Sequence, residues 1–297
     1  MTKPSALVIL SGGQDSTTCL WWAKMHHDRI HTLTFNYGQR HSREIESAKI
    51  IASMAQVEKH TILTMGNILS GDSPLTTAAD LEQYQDWQSL PGGLEKTFVP
   101  GRNAVFLALA SSYAYANKLD KIVVGISQED FGGYPDCRQQ FLTQMERAMQ
   151  AALDWEQLEF VAPLLFLNKA MTCLMGATMP GCSEALAFSH TAYDGKYPPT
   201  GHDHASLLRA KGYEQAKLPD PLVVRAWREG VMDLPFTANY DELASRVPPP
   251  HGDPLAGVDP LAAAGDAGGL DAPTVQHAVN CPYPGKACNC GAIPPSV

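Results

Sequence analysis

Ala6-Leu7-Val8-Ile9-Leu10-Ser11-Gly12-Gly13-Gln14-Asp15-Ser16 is the stretch on which the reading of this chain turns. Its first five residues form a short unbroken apolar run, the pattern of a parallel strand buried on both faces. Two glycines follow, then a helix-like stretch from Ser16 to Met25. Glycines let the backbone approach a ligand, and successive N–H groups at a helix N-terminus make a cradle for an anion. Ser11, Gly12, Gly13, Gln14 and Ser16 are therefore candidate phosphate-binding residues. Asp15 is placed to hold a magnesium ion, which prefers carboxylate and phosphate oxygens. The loop lacks the Gly-Lys-Ser/Thr ending of a Walker A loop, which argues against cleavage at the γ-phosphate of ATP.

Strands and helices alternate outward from this loop. Ile30–Asn36, His60–Leu63, Lys121–Gly125 and Glu159–Pro163 read as strands. Ser42–Gln56, Asn103–Ala116 and Gln139–Ala152 read as helices, the first with Ile45, Ala48, Ile51 and Ala52 on one face. This alternation predicts an α/β fold built on a doubly wound parallel sheet. Asn67–Lys96, polar and broken by Gly and Pro, reads as a mobile flap, and beyond Cys182 the pattern becomes irregular. The expected division is a core over 1–221, a helical extension over 222–247, a Pro/Gly/Ala linker over 248–273 and a cysteine-bearing tail over 274–297.

Bulk composition narrows the function classes. The 297 residues carry a net charge of −9, which argues against a nucleic acid or an anionic membrane as the main partner. No apolar run is long enough to span a bilayer, and no cleavage site follows the first residues, so a cytoplasmic protein is expected. Seven cysteines, an odd number, do not read as a disulfide framework.

Ser11–Ser16 resembles the SGGxDS signature of PP-loop ATP pyrophosphatases of the HUP-like fold, which cleave ATP between the α- and β-phosphates. Three further segments extend the resemblance: Asn36-Tyr37-Gly38-Gln39-Arg40-His41, Phe98-Val99-Pro100-Gly101-Arg102-Asn103, and Gly125 to Arg138. Each falls at the C-terminal end of an expected strand or at the next helix start, where open α/β sheets bind ligands. In this order and spacing, from about Leu7 to about Pro221, the segments are similar to the QueC family of 7-deazaguanine nitrile synthases.

The resemblance implies an ATP- and magnesium-dependent carbon–nitrogen ligase. Such enzymes adenylate 7-carboxy-7-deazaguanine, add ammonia to give an amide, and adenylate again to dehydrate the amide to the nitrile. It implies catalytic roles for Asp15, for Arg102 as a bidentate phosphate or carboxylate clamp, and for Lys169 against the charge of the leaving group. Arg40 and His41 are expected at the nucleotide, although a helix-capping or packing role accounts for them equally well. Phe98, Asp130, Phe131, Tyr134, Asp136 and Arg138 are expected at the deazaguanine, although a turn held by Asp and Pro, or core packing of the aromatics, accounts for the same residues. The acid that follows the lysine in the family is Met171 here. A homodimer is the expected assembly.

The resemblance breaks at the zinc site. Family members bind a structural zinc through four cysteines, and the matching positions here hold Ala192, Thr200, Asp203 and Ser206. No thiolate is available there, so the Cys₄ site is expected to be absent. Three readings stay open: a weaker site from His202, Asp203 and His204, a zinc held by the tail through Cys281, Cys288 and Cys290, or no metal. Loss of all four cysteines within a retained frame points to QueC-like paralogues of CBASS-type antiphage defence operons. On that expectation the activated deazaguanine is joined to the N-terminal glycine of a partner protein, such as the operon's nucleotidyltransferase. The alternatives are an orthodox synthase of 7-cyano-7-deazaguanine (preQ0) in queuosine biosynthesis, or a non-catalytic deazaguanine- or nucleotide-binding module.

Overall fold

The computed structural model describes residues 5–39, 42–66, 68–69, 73–76, 82–89, 97–128 and 134–245. Arg40, His41, Asp130, Phe131, the linker 248–273 and the tail with Cys281, Cys288 and Cys290 lie outside those residues, as does much of 67–96.

Five strands form one parallel sheet: β1 (Ser5–Ile9), β2 (Arg29–Asn36), β3 (Lys59–Thr64), β4 (Lys121–Val123) and β5 (Glu159–Val161), in the order β3-β2-β1-β4-β5. The apolar run at β1 is explained by its central position. Ala6, Val8 and Leu10 pack into one core cluster, while Leu7 and Ile9 pack into a second on the opposite face. The first cluster is closed by α1 (Gln14–His26) and α2 (Arg43–Ala55), the second by α3 (Arg102–Asn117) and α4 (Gln139–Leu153). The expected doubly wound α/β sheet is therefore present, with strand order reversing between β1 and β4. Loops leaving the carboxyl ends of those two strands diverge and open a crevice between them.

After β5 comes α5 (Lys169–Thr178), and from Cys182 onward the chain is more regular than the sequence pattern predicts, with α6 (Cys182–Leu186), α7 (His204–Gln215), α8 (Pro221–Arg228) and α9 (Asp241–Ala244). Helix α7 escapes a periodicity reading because its buried residues include His204, Ser206, Arg209 and Gly212 beside Leu207, Leu208 and Tyr213. A helix that buries polar and apolar side chains alike shows no apolar stripe. Its start is set instead by Asp203, whose carboxylate accepts from the Ser206 N–H (3.1 Å) and from the Ser206 hydroxyl (2.6 Å). Described parts of the segment read as a flap pack on this region. The Tyr84 N–H donates to the His202 carbonyl (2.8 Å), and the Lys211 ammonium lies 4.5 Å from the Trp87 ring centre.

Arg209 ties these helices to the sheet. All five of its N–H donors are used: two on Asp220, and one each on Ser189 Oγ, Thr191 Oγ1 and the Leu186 carbonyl. Asp220 also caps α8 by accepting from the Leu222 N–H, and its own N–H donates to the Tyr240 hydroxyl. A second buried guanidinium, Arg225, donates to Glu229 (2.8 Å) and lies between the rings of Phe188 (4.3 Å) and Tyr197 (4.6 Å). Residues of the 222–245 stretch thus pack on the segment that follows α6.

A buried pair that loses one partner leaves an uncompensated charge, whereas an exposed pair contributes little. Arg209→Met is therefore expected to cost about 3–5 kcal/mol. Lys49→Met, which breaks the exposed pair with Glu46, is expected to change stability by less than about 0.5 kcal/mol. Urea unfolding of the two variants checks this, and equal losses would contradict the assignment of Arg209.

Candidate active site

A cleft of about 340 Å³ opens at the carboxyl ends of β1 and β4, at the point where the strand order reverses. Its floor is the Ser11–Ser16 loop. Ser11 Oγ and Ser16 Oγ lie 3.0 Å apart, the Ser11 N–H donates to Ser16 Oγ, the Gly13 N–H donates to Ser11 Oγ, and the Thr17 hydroxyl donates to the Gly13 carbonyl (2.7 Å). These contacts hold the loop in a fixed curve before any ligand arrives. Gly12 is required twice over. Its φ is +88°, and a Cβ there would stand 2.2 Å from the Glu44 carbonyl oxygen at the start of α2. Its own carbonyl accepts from the His190 N–H (2.9 Å), which brings the Ser189–Thr191 segment held by Arg209 against the loop as a side wall.

Asp15 and Lys169, 154 residues apart, meet in this cleft. The Lys169 ammonium donates to both carboxylate oxygens, at 3.0 and 2.9 Å. Lys169 is the first residue of α5, behind an Asn168 cap whose side chain accepts from the Met171 N–H. Its stem crosses α7 at Gly212, where a Cβ would lie 2.5 Å from Lys169 Cγ. That is the reason for a glycine inside a helix, where it is otherwise unfavourable.

Arg102 opens α3 and lines the cleft with Tyr37 and Glu44. Burial opposes its charge, but a hydrogen bond to Tyr37 and the nearby Tyr193 and Tyr134 hold the guanidinium protonated. Burial pushes the carboxyl of Glu44 up to about 7, with Arg102 pulling the other way. Gln14 is buried, and its side-chain amide donates to Cys173 Sγ (3.1 Å). Burial, reinforced by Asp220, pushes that thiol up to about 12, so the sulfur stays neutral.

The structure gathers Ser11, Gly13, Gln14, Asp15, Ser16, Arg102, Tyr134, Arg138 and Lys169 around one cavity. Gly12 supports the loop from behind. Phe98 is not among the lining residues, but its ring stacks on Tyr134, with centroids 5.5 Å apart. Tyr134 shares a 2.7 Å hydrogen bond with Thr97. Asp136 does not line the cleft either. It is buried, and its carboxylate accepts from the Asn103 N–H (3.2 Å) in the first turn of α3, which is the turn-holding role weighed for it from sequence. Glu44 and Gly212 were not singled out from sequence. An acid in a first helical turn reads as a dipole partner, and a lone helical glycine has no signal that names what crosses it.

The four positions matched to the zinc cysteines do not fit a soft metal. Ala192 is buried, Thr200 donates to Asp194 (2.6 Å), and Asp203 and Ser206 are joined as the α7 cap. Among the described residues, no group of three or more His, Cys, Asp or Glu is placed to hold a metal ion. For magnesium, Asp15 offers the hard oxygen donor that the ion prefers when the remaining ligands are phosphate oxygens, so the residue type fits. No helix among the described residues is long and apolar enough to cross a membrane.

Residues 5–217 match the family described as Queuosine biosynthesis protein QueC, which is well over half of the chain. The chain belongs to the QueC family. QueC-family relatives carrying the name 7-cyano-7-deazaguanine synthase span nearly their full length on it. That of Chromobacterium violaceum is 44% identical over 229 residues, covering 75% of this chain and 95% of its own. That of Laribacter hongkongensis is 43% identical over 222 residues (74% and 94%), and that of Gloeobacter violaceus 42% over 221 residues (73% and 94%). A solved 4-thiouridine synthetase–RNA complex with bound ATP aligns over 74% of this chain and 52% of that one, at 15% identity and a TM-score of 0.39, too remote to carry any argument.

If Gly212 exists to pass the Lys169 stem, Gly212→Ala should displace the ammonium from Asp15 without unfolding the helix. The expected result is ATP turnover lowered about 10²-fold, as for a reacting group misplaced by about an ångström, with the helix retained and the thermal midpoint modestly lowered because the added Cβ also crowds the Lys169 backbone. Turnover equal to that of the wild type in steady-state assays would rule the role out.

Proposed function

We propose that this QueC-family chain is an ATP-dependent 7-cyano-7-deazaguanine synthase that converts 7-carboxy-7-deazaguanine to the nitrile with ammonia. The observation that carries the reading is one cleft in which the anion-binding loop, the Lys169–Asp15 pair and Arg102 converge. The near-full-length relatives of the same name support it, and they favour this ammonia reading over the protein-conjugation reading placed first from sequence.

The amides of Gly13 to Ser16 and the dipole of α1 bind the ATP phosphates. Arg102 orients the substrate carboxylate so that its oxygen attacks the α-phosphorus and pyrophosphate leaves, with Lys169 set against the charge that develops. Magnesium, held by Asp15 and phosphate oxygens, would supply further neutralisation of that charge. Tyr134 and Arg138 face the same cavity and supply a ring and a cation for the deazaguanine. Ammonia then displaces AMP to give the amide. A second adenylation on the amide oxygen makes loss of AMP and protons yield the nitrile.

One observation favours a second reading. The cysteine positions hold Ala192, Thr200, Asp203 and Ser206, and the loop they border has been rebuilt on hydrogen bonds beside the cleft-lining Tyr193 and His204. A changed wall fits a bulkier amine, such as the N-terminal glycine of a protein, and a secondary amide cannot be dehydrated to a nitrile.

Chromatography of nucleotides and mass spectrometry of products test both. The expected outcome is AMP and pyrophosphate rather than ADP, two AMP per nitrile, and turnover lowered about 10²-fold or more in Asp15→Ala. ADP as product would refute the assignment. One AMP per amide, with a protein gaining the deazaguanine acyl mass, would replace the first reading by the second.

A further inference from the structure

Amide formation needs a proton acceptor that the phosphate loop and the Lys169–Asp15 pair do not supply. Ammonia and ordinary amines are cations at neutral pH, with the lone pair occupied, so a proton must leave before or during attack. Among the described residues lining the cleft, Asp15 and Glu44 carry carboxylates, while His190 and His204 carry imidazoles on the wall formed by the 189–191 segment and α7. Both oxygens of Asp15 accept from Lys169, and the same carboxylate is the donor assigned to magnesium, so it is committed to the nucleotide side of the reaction.

Glu44 is differently placed. Its backbone is pinned beneath the loop, where Gly12 approaches its carbonyl oxygen closely. Its side chain lines the cleft together with Arg102 of α3 and Tyr37 at the end of β2, the two titratable or charged groups that interact with it there. Arg102 is the residue proposed to hold the carboxylate that becomes the acyl adenylate, and on that reading Glu44 lines the same cleft within reach of the Arg102 charge.

We infer that Glu44 is the general base of amide formation, taking a proton from the bound ammonium so that its lone pair is free to attack the acyl adenylate. This rests on the adenylation reading above. In the step, that proton passes to the Glu44 carboxylate, the lone pair of the resulting ammonia forms the C–N bond, and the C–O bond to AMP breaks, its electron pair leaving on the AMP phosphate. The nitrogen of the adduct sheds a second proton to solvent, and Glu44 returns its own to solvent, so ammonium yields the amide and two protons. No oxidant, reductant or further co-reactant is needed. Because burial lifts this carboxyl to about 7 against the pull of Arg102, the basic form grows in as pH rises through neutrality and is lost below it. A general base works best when its pKa lies near the working pH.

The test is single-turnover kinetics of the full-length chain with ATP and 7-carboxy-7-deazaguanine, following adenylate and amide separately. In the wild type, amide formation should rise with pH around a midpoint near 7. In Glu44→Gln, adenylate should accumulate while its conversion by ammonia falls about a hundredfold at neutral pH, recovering at alkaline pH as free ammonia appears. Hydroxylamine, already uncharged at neutral pH, should react with the accumulated adenylate at close to the wild-type rate, and Glu44→Asp should restore part of the ammonia reaction. Equal slowing with both nucleophiles, loss of adenylate formation itself, or a raised KM for the deazaguanine with normal aminolysis would each overturn the assignment and make Glu44 a structural or binding residue. Failure of the wild type to form any adenylate would overturn the parent reading as well, and is distinguished by appearing before any substitution is made.

Discussion

A guanidinium out of water is costly for every N–H left without an acceptor, and the architecture around Arg209 follows from satisfying all five. Its five acceptors come from the end of α6, the Ser189–Thr191 segment and the cap of α8. Satisfying them fixes three pieces of chain that share no strand with one another. The same segment then donates through His190 to the Gly12 carbonyl, so the geometry of the phosphate loop is referred back to a charge buried in the helical layer. A neutral side chain of equal size would fill the space but would not set these distances. The cost is dependence, since losing any acceptor would leave a buried donor unpaired.

The sheet and its first four helices were legible because their signals are local. β1 reads as a continuous apolar run because it serves two cores, and α2 shows one apolar face because it serves one. The loop was legible because Gly12, Gly13 and Asp15 sit together in sequence. What escaped depends on distant partners. The pairing of Lys169 with Asp15 is set by how α5 packs on α7, and nothing near either residue announces it. Helix α7 was read as irregular because it buries Arg209 and His204 beside leucines. Asp136, Tyr134 and Phe98 looked equivalent in sequence, yet the first caps a helix, the second lines the cavity and the third stacks behind it. Arg40 and His41, expected at the nucleotide, and Asp130 and Phe131, expected at the deazaguanine, lie outside the described residues.

The loop before α7 is held by hydrogen bonds between its own side chains. Asp203 and Ser206 form a helix cap, and Thr200 is held by Asp194. Burial raises the Asp203 carboxyl, while the hydrogen bonds from Ser206 pull it down. Capping of this kind contributes about 0.5–2 kcal/mol. Tyr84 and Trp87, from the segment between β3 and α3, meet the loop and α7 at His202 and Lys211.

The reach of the Arg209 network also bears on how the chain is made. During synthesis the N-terminal half emerges first, and β1, β2 and the loop between them are present long before the helical layer. The side wall of the cleft, however, needs Asp220 to meet Arg209 and Tyr240 to seal Asp220 from behind. A nascent chain stopped short of that tyrosine lacks the hydroxyl that accepts from the Asp220 N–H, and with it part of what holds the wall. The cleft is therefore complete only when nearly all of the described chain has left the ribosome.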